Sequence, residues 1–166
     1  SDGGRVGDAF MREIAPIAEA VPYMTCLGNH EGGTSFAGPL KHYVHRFNMP
    51  GKRANNNNNA FYSFDAGPLH VVAFSSEAYF WQLWDVERQF AWLAADLAAV
   101  NSAPRPWVVT LGHRPLYCTA GCEELHVGAP VLRALIEAEL LAGRVDLAVQ
   151  AHVHDYERTL PVARGA

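Results

Sequence analysis

Val145-Asp146-Leu147-Ala148-Val149-Gln150-Ala151-His152-Val153-His154 reads as a short apolar strand that ends in two histidines. The same order of events occurs twice more. Pro106 to Leu111 is a β-rich apolar run ending at Gly112-His113, and Tyr23 to Leu27 runs into the loop Gly28-Asn29-His30-Glu31-Gly32-Gly33. Between these runs lie stretches with helical spacing. Val86, Phe90, Leu93, Leu97 and Val100 recur at four, three, four and three, behind Asp85 as a cap. A further helix is expected from Ala129 to Ala142, with Pro130 in its first turn and Gly143 at its stop. Buried strands alternating with one-faced helices imply an α/β fold on a sheet that is at least partly parallel.

Working outward, Phe61 to Asp65, a turn at Ala66-Gly67-Pro68 and Leu69 to Ser75 form a predicted β-hairpin. Its second arm, His70 to Phe74, is apolar enough for the inside of a sheet. Asp8 to Val21 places Phe10, Ile14, Ile17 and Val21 on one helical face, with Asp8 as N-cap and a kink or break expected at Pro16. A weaker helix covers Pro39 to Phe47. The run Asn55 to Asn59 offers no packed face and reads as a mobile surface loop. No internal repeat or domain-scale linker interrupts residues 1–166, so one domain is expected.

Composition narrows the function. With 166 residues, 49% of them apolar and 18% charged, the chain can bury a core and is not a disordered segment. Thirteen Lys and Arg against seventeen Asp and Glu give a formal charge of −4, which leaves no basic field for a nucleic-acid backbone. Apolar runs such as Phe90 to Ala95 fall far short of a membrane span. The chain opens on Ser1 with no charged-then-apolar leader, and both ends read as cut from something longer. Three cysteines are too few for a disulfide scaffold. Cys118 and Cys122 could close a small loop in an oxidising compartment or stay reduced, and Cys26 reads as a small core residue.

The ends of parallel strands gather at one edge of an α/β sheet, where ligands bind. Asn29, His30, His113, His152 and His154 are therefore expected near one another. Imidazole suits Zn, Fe and Mn, and an Asn carbonyl adds an uncharged ligand. His152 and His154, two apart, would share a face if the backbone were extended. A metal centre requires the donor atom of His113 within about 5 Å of those of His152 and Asn29, twice the metal–nitrogen reach. His42 and His45 are expected at the surface or rim, His70 as a hydrogen-bonded core or edge residue, and Trp81, Trp84 and Trp92 in packing.

Gly28-Asn29-His30-Glu31, Gly112-His113 and His152-Val153-His154 resemble the third, fourth and fifth motifs of the calcineurin-like metallophosphoesterases. The surrounding stretches, Arg5 to Met11, Pro22 to Cys26, Val86 to Phe90 with Trp92-Leu93, Gly112 to Cys118 and Ala151 to Arg158, are similar to the purple acid phosphatases, above all their iron/zinc-like branch. The resemblance covers nearly the whole chain; Ala151 stands where the fifth motif usually has Gly.

That resemblance implies a four-layer α/β/β/α sandwich with a binuclear centre, Fe plus Zn or Mn/Fe, that hydrolyses phosphate monoesters. It implies Asn29, His113 and His152 as ligands of the divalent ion and His154 as a ligand of the ferric one. His30 would face the transferring phosphoryl group, and His126 is a candidate acid for the leaving alcohol. Two cations about 3.5–4 Å apart can clamp a phosphate and activate water. The family's upstream Asp-x-Gly and Gly-Asp-x-x-Tyr motifs supply the remaining ligands, and this chain starts after them. Gly7-Asp8-Ala9-Phe10-Met11 lacks the Tyr, so Asp8 is not read as the bridging ligand. The expectation is an incomplete domain, its N-terminal strands missing, with one sheet edge unpaired and part of the apolar face uncovered. A non-catalytic binding protein on the same fold and a phosphodiesterase of the same superfamily remain open. The resemblance also implies a small-molecule phosphomonoester partner, neither nucleic acid nor membrane, and a secreted or lysosomal/vacuolar location.

Overall fold

A computed structural model describes residues 3–32, 40–50, 59–78, 86–100, 107–119 and 128–165. In chain order the elements are α1 (Arg5–Ala18), α2 (Asn29–Gly32), α3 (Lys41–Arg46), β1 (Tyr62–Ala66), β2 (Leu69–Ala73), α4 (Val86–Ala99), β3 (Trp107–Leu111), α5 (Gly128–Ala142) and β4 (Leu147–Val149). The strands form one mixed sheet of order β1-β2-β3-β4. β1 and β2 are the antiparallel hairpin, with Tyr62 opposite Ala73 and Gly67 in the left-handed turn. β2, β3 and β4 run parallel, in register Val71–Val109–Leu147. The α/β class, the hairpin and the strand–helix alternation expected from periodicity are all present.

One face of the sheet offers Val72, Phe74 and Val108 to Leu93 and Leu97 of α4 and to Leu132, Ile136 and Leu140 of α5. This is the largest core. Gln89, also on α4, is buried and clamps the chain just past β2, its Oε1 accepting from the Ser75 amide and its Nε2 donating to the Ser75 carbonyl. On the opposite face, Ala73, Tyr62 and Met49 meet Met24, Cys26 and Phe47. Trp92 packs against Phe61, with ring centroids 4.8 Å apart; Trp81 and Trp84 lie outside the described residues.

Four local expectations are corrected. Tyr23 to Leu27 is not a strand. The Thr25 amide goes to Met49 Sδ, and the Thr25 carbonyl accepts from the Tyr43 and Tyr62 hydroxyls. Side chains thus satisfy a backbone that a ladder was expected to satisfy, and within the run only Leu27 is fully buried. Helix α1 starts at Arg5 behind Gly4, so Asp8 lies in its first turn and is not the N-cap; the helix continues through Pro16, which falls in its last turn. Of the α1 stripe only Ile14 is buried, whereas Phe10, Ile17 and Val21 are exposed. Asn59 is not surface loop. It is wholly buried, its Oδ1 accepting from the Met49 amide and its Nδ2 donating to the Phe47 carbonyl. Asn55 to Asn58 lie outside the described residues. Among the described residues β4 is an edge strand with all three residues exposed.

His70 is the buried, hydrogen-bonded histidine that its place in β2 suggested. Nδ1 sits 2.7 Å from Asp65 Oδ1 and Nε2 3.0 Å from Asp96 Oδ2, and the Ser63 hydroxyl donates to Asp96 Oδ1. Carboxylates only accept, so both bonds together require the doubly protonated ring. Burial pulls the His70 pKa down, but the hydrogen bonds and charges of Asp65 and Asp96 outweigh it and hold the pKa above 6.5. A raised folded-state pKa adds stability that is complete below the unfolded value and is lost as pH rises through the folded one. His70→Gln is therefore expected to cost about 1–2 kcal/mol at pH 5 and clearly less at pH 8.5, read from urea unfolding at both. An equal cost at the two pH values would refute the charged clamp.

Candidate metal centre

Parallel pairing brings the strand ends together. The Phe74 amide bonds the Leu111 carbonyl, Gly112 bonds Val149, and Ala151 bonds the His113 carbonyl. The segment after β3 therefore runs beside the segment after β4, and residues 28–30 approach from the other side. His113 Nε2 lies 2.8 Å from Asn29 Oδ1 and 3.0 Å from His152 Nδ1. The two imidazoles meet edge-on, with centroids 4.9 Å apart and planes at 78°. His113 thus lies well inside the 5 Å limit from both Asn29 and His152.

Two glycines make the approach possible. A Cβ on Gly28 would sit 3.0 Å from His113 Cε1 and Nδ1. A Cβ on Gly112 would lie 2.6 Å from Cζ of the buried Phe74 ring, which forms the floor beneath the site. The Gly28 amide is held by Glu31 Oε2 at 2.9 Å, which fixes the start of α2 and so the reach of Asn29.

His152 is held in a left-handed conformation, φ 72°, and the Val153 amide bonds the Ala151 carbonyl across it. This is a γ-turn of the rare positive-φ kind, which non-glycine residues adopt at a cost. The turn aims Nδ1 at His113. It also breaks the extended geometry on which a shared face for His152 and His154 depended: His152 is half-buried and His154 exposed. His30 is exposed beside Asn29 and lies near enough for its charge to act on His113. His126 and Cys122 lie outside the described residues. His42 and His45 are on the surface. Asp8 Oδ1 is 2.7 Å from Arg46 Nη2, away from the three donors.

Burial pushes the His113 pKa down to about 4, and the neighbouring His152, Arg114 and His30 push the same way against the attraction of Glu77. The ring is thus neutral at physiological pH, the state a metal ligand needs. Lone-pair chemistry favours a cation at this point. Asn29 Oδ1 can only accept, and one proton on His113 Nε2 cannot serve both neighbours fully. Among the described residues no Asp or Glu joins these donors, and no group of three or more His, Cys, Asp or Glu assembles elsewhere. The donor set fits one divalent ion; the described residues do not complete a second site.

A buried ion pair that the sequence reading missed sits directly behind the imidazoles. Glu77 is fully buried and takes two bonds from Arg114, Nε to Oε1 at 2.7 Å and Nη2 to Oε2 at 3.1 Å. A signal was available, because Ser75-Ser76-Glu77 is the polar cluster just past the end of β2, which lies beside the ends of β3 and β4. Beyond the site, Cys118 is disulfide-bonded and Cys26 is a free thiol whose pKa burial raises.

Comparison with known proteins agrees with this geometry. Acid phosphatase type 7 of Homo sapiens is 42% identical over 174 residues, covering 97% of this chain and 38% of that protein. The structure of purple acid phosphatase PPD1 from yellow lupin (Lupinus luteus) seeds superposes with a TM-score of 0.76 at 33% identity, covering 95% of this chain and 29% of that one. An Arabidopsis thaliana relative, 32% identical over 92% of this chain and 27% of its own length, is named probable inactive purple acid phosphatase 9. The chain thus spans between 27% and 39% of the length of these curated relatives. The calcineurin-like phosphoesterase description matches residues 1–156, and the chain belongs to that family.

Proposed function

We propose that these 166 residues are the part of a metal-dependent phosphomonoesterase, of purple acid phosphatase type, that carries the ligands of one divalent ion. Asn29, His113 and His152 would hold that ion, Zn, Mn or Fe, and the observation carrying the proposal is that His113 Nε2 lies within 3.0 Å of both Asn29 Oδ1 and His152 Nδ1. A cation there supplies Lewis-acid polarisation of a phosphoryl oxygen and activation of water. The chain's own part would be to hold two imidazoles, that of His113 neutral, and an amide oxygen at the strand edge, with exposed His30 beside Asn29 to meet phosphoryl oxygens. His154 is assigned to a ferric ion and His126 to protonation of the leaving alcohol, both on family resemblance. The disulfide at Cys118 supports an oxidising compartment, secreted or lysosomal. Among the described residues no helix is long and apolar enough to cross a membrane.

The test has two arms. The chain alone is expected to bind about one equivalent of Zn²⁺, weakly, and to release phosphate from an aryl phosphate poorly or not at all with iron and zinc added, because the described residues provide no bridging carboxylate. Turnover comparable to an intact phosphatase would refute the incomplete-site reading. In the longer parent protein, elemental analysis is expected to find two metal ions, with hydrolysis of phosphomonoesters. A parent holding one ion or none and lacking turnover would favour a non-catalytic binding protein, the reading to which the relative named probable inactive gives weight.

A further inference from the structure

The imidazole edge turned away from the metal-binding face has a partner of its own. Arg114 Nη1 lies 3.4 Å from His152 Nε2, while His152 Nδ1 faces His113. The guanidinium is itself fixed. Glu77 grips it through Nε and Nη2, the Ser76 hydroxyl donates to Glu77 Oε1 at 3.2 Å, and the same hydroxyl oxygen accepts the Arg114 backbone N–H at 2.9 Å. These bonds tie the end of β2 to the residue after His113 and, through the guanidinium, to His152. We propose that Glu77 and Arg114 are positioning residues for the metal-binding face: the buried carboxylate sets the guanidinium plane, and the guanidinium sets the ring of His152 so that Nδ1 points at His113 and Asn29. The inference rests on the reading of those three side chains as cation donors.

Arginine suits this task because its planar fork presents several N–H groups in fixed directions, two toward a carboxylate and a third toward another acceptor. Lysine would keep the charge opposite Glu77 but offers one compact ammonium, which cannot reproduce that span. Groups that orient metal ligands from behind typically change metal affinity by about 10- to 100-fold when altered. A purely structural ion pair would change stability and leave affinity to follow it.

Arg114→Lys tests this in the full 166-residue chain, with the charge-free double variant Glu77→Leu with Arg114→Met as a second variant should the first fold poorly. The expected result is a thermal midpoint within about 5 °C of wild type and Zn²⁺ affinity lower by about 10-fold or more. In the metal-free protein, the His152 side-chain ¹⁵N resonances are expected to report one ring state in wild type and an averaged one in the variant. Unchanged Zn²⁺ affinity in both variants, or a metal-free His152 ring as ordered in the variants as in wild type, overturns the proposal. The resonance measurement needs no metal. A wild-type chain that takes up no Zn²⁺ would defeat the cation reading, while ring ordering still decides what Arg114 does.

Discussion

His113→Ala lowers the Zn²⁺ affinity of the chain by at least about 100-fold, a loss at the upper end of what indirect, orienting partners produce, while the metal-free thermal midpoint moves by only a few degrees. His113 is the middle donor: its Nε2 is 2.8 Å from Asn29 and 3.0 Å from His152, and these two contacts are what bring the set together. Without it the remaining amide oxygen and imidazole lose the ring that each of them contacts. The ring is half-buried in a pocket that disfavours its charged form, so its removal takes away little that holds the fold. Calorimetric titration with Zn²⁺ reads the effect, and Asn29→Ala or His152→Ala should add less than their separate costs, because all three act as one unit. His45→Ala, on the exposed side of α3, serves as control. Wild-type affinity in the His113 variant would mean that the donors bind nothing together.

Glu77→Ala is the largest expected loss of stability. It leaves Arg114, a residue only 9% exposed, without the carboxylate that takes two of its N–H groups. Breaking a buried pair from one side costs about 3–5 kcal/mol, because the remaining charge stays in a poorly solvated place. For a chain of this size that is a fall of roughly 10 °C in thermal midpoint. Removing both charges together, as Glu77→Leu with Arg114→Met, is expected to recover much of the loss, since well-packed apolar side chains need no counter-charge. Urea unfolding of the three proteins measures it. A double variant no more stable than Glu77→Ala would show that the pair contributes through geometry rather than through charge balance.

Much of the architecture was legible because it is written in spacing. The period of Phe90, Leu93 and Leu97 and the β-branched run at Val71-Val72 each point one way, and the core joins the three helix side chains to Val72 as read. The donors were legible for a different reason. A strand end is a local feature, and parallel topology carries local features from distant places to one edge. Tyr23 to Leu27 has strand composition but no ladder, since composition does not say whether a neighbour will offer backbone or side-chain partners. Phe10 and Ile17 have helical spacing, yet spacing shows only that a face is apolar and not that anything covers it.

That Asn29, His113 and His152 are candidate donors, and the β-α order that sets His113 beside His152, could be read from the chain alone, because residue type and period act over a few neighbouring positions. Their distances, the γ-turn that parts His154 from His152, and the Glu77–Arg114 strut behind the imidazoles were decided by tertiary structure. Each depends on backbone direction and on charges 37 residues apart finding one another in a space from which water is excluded.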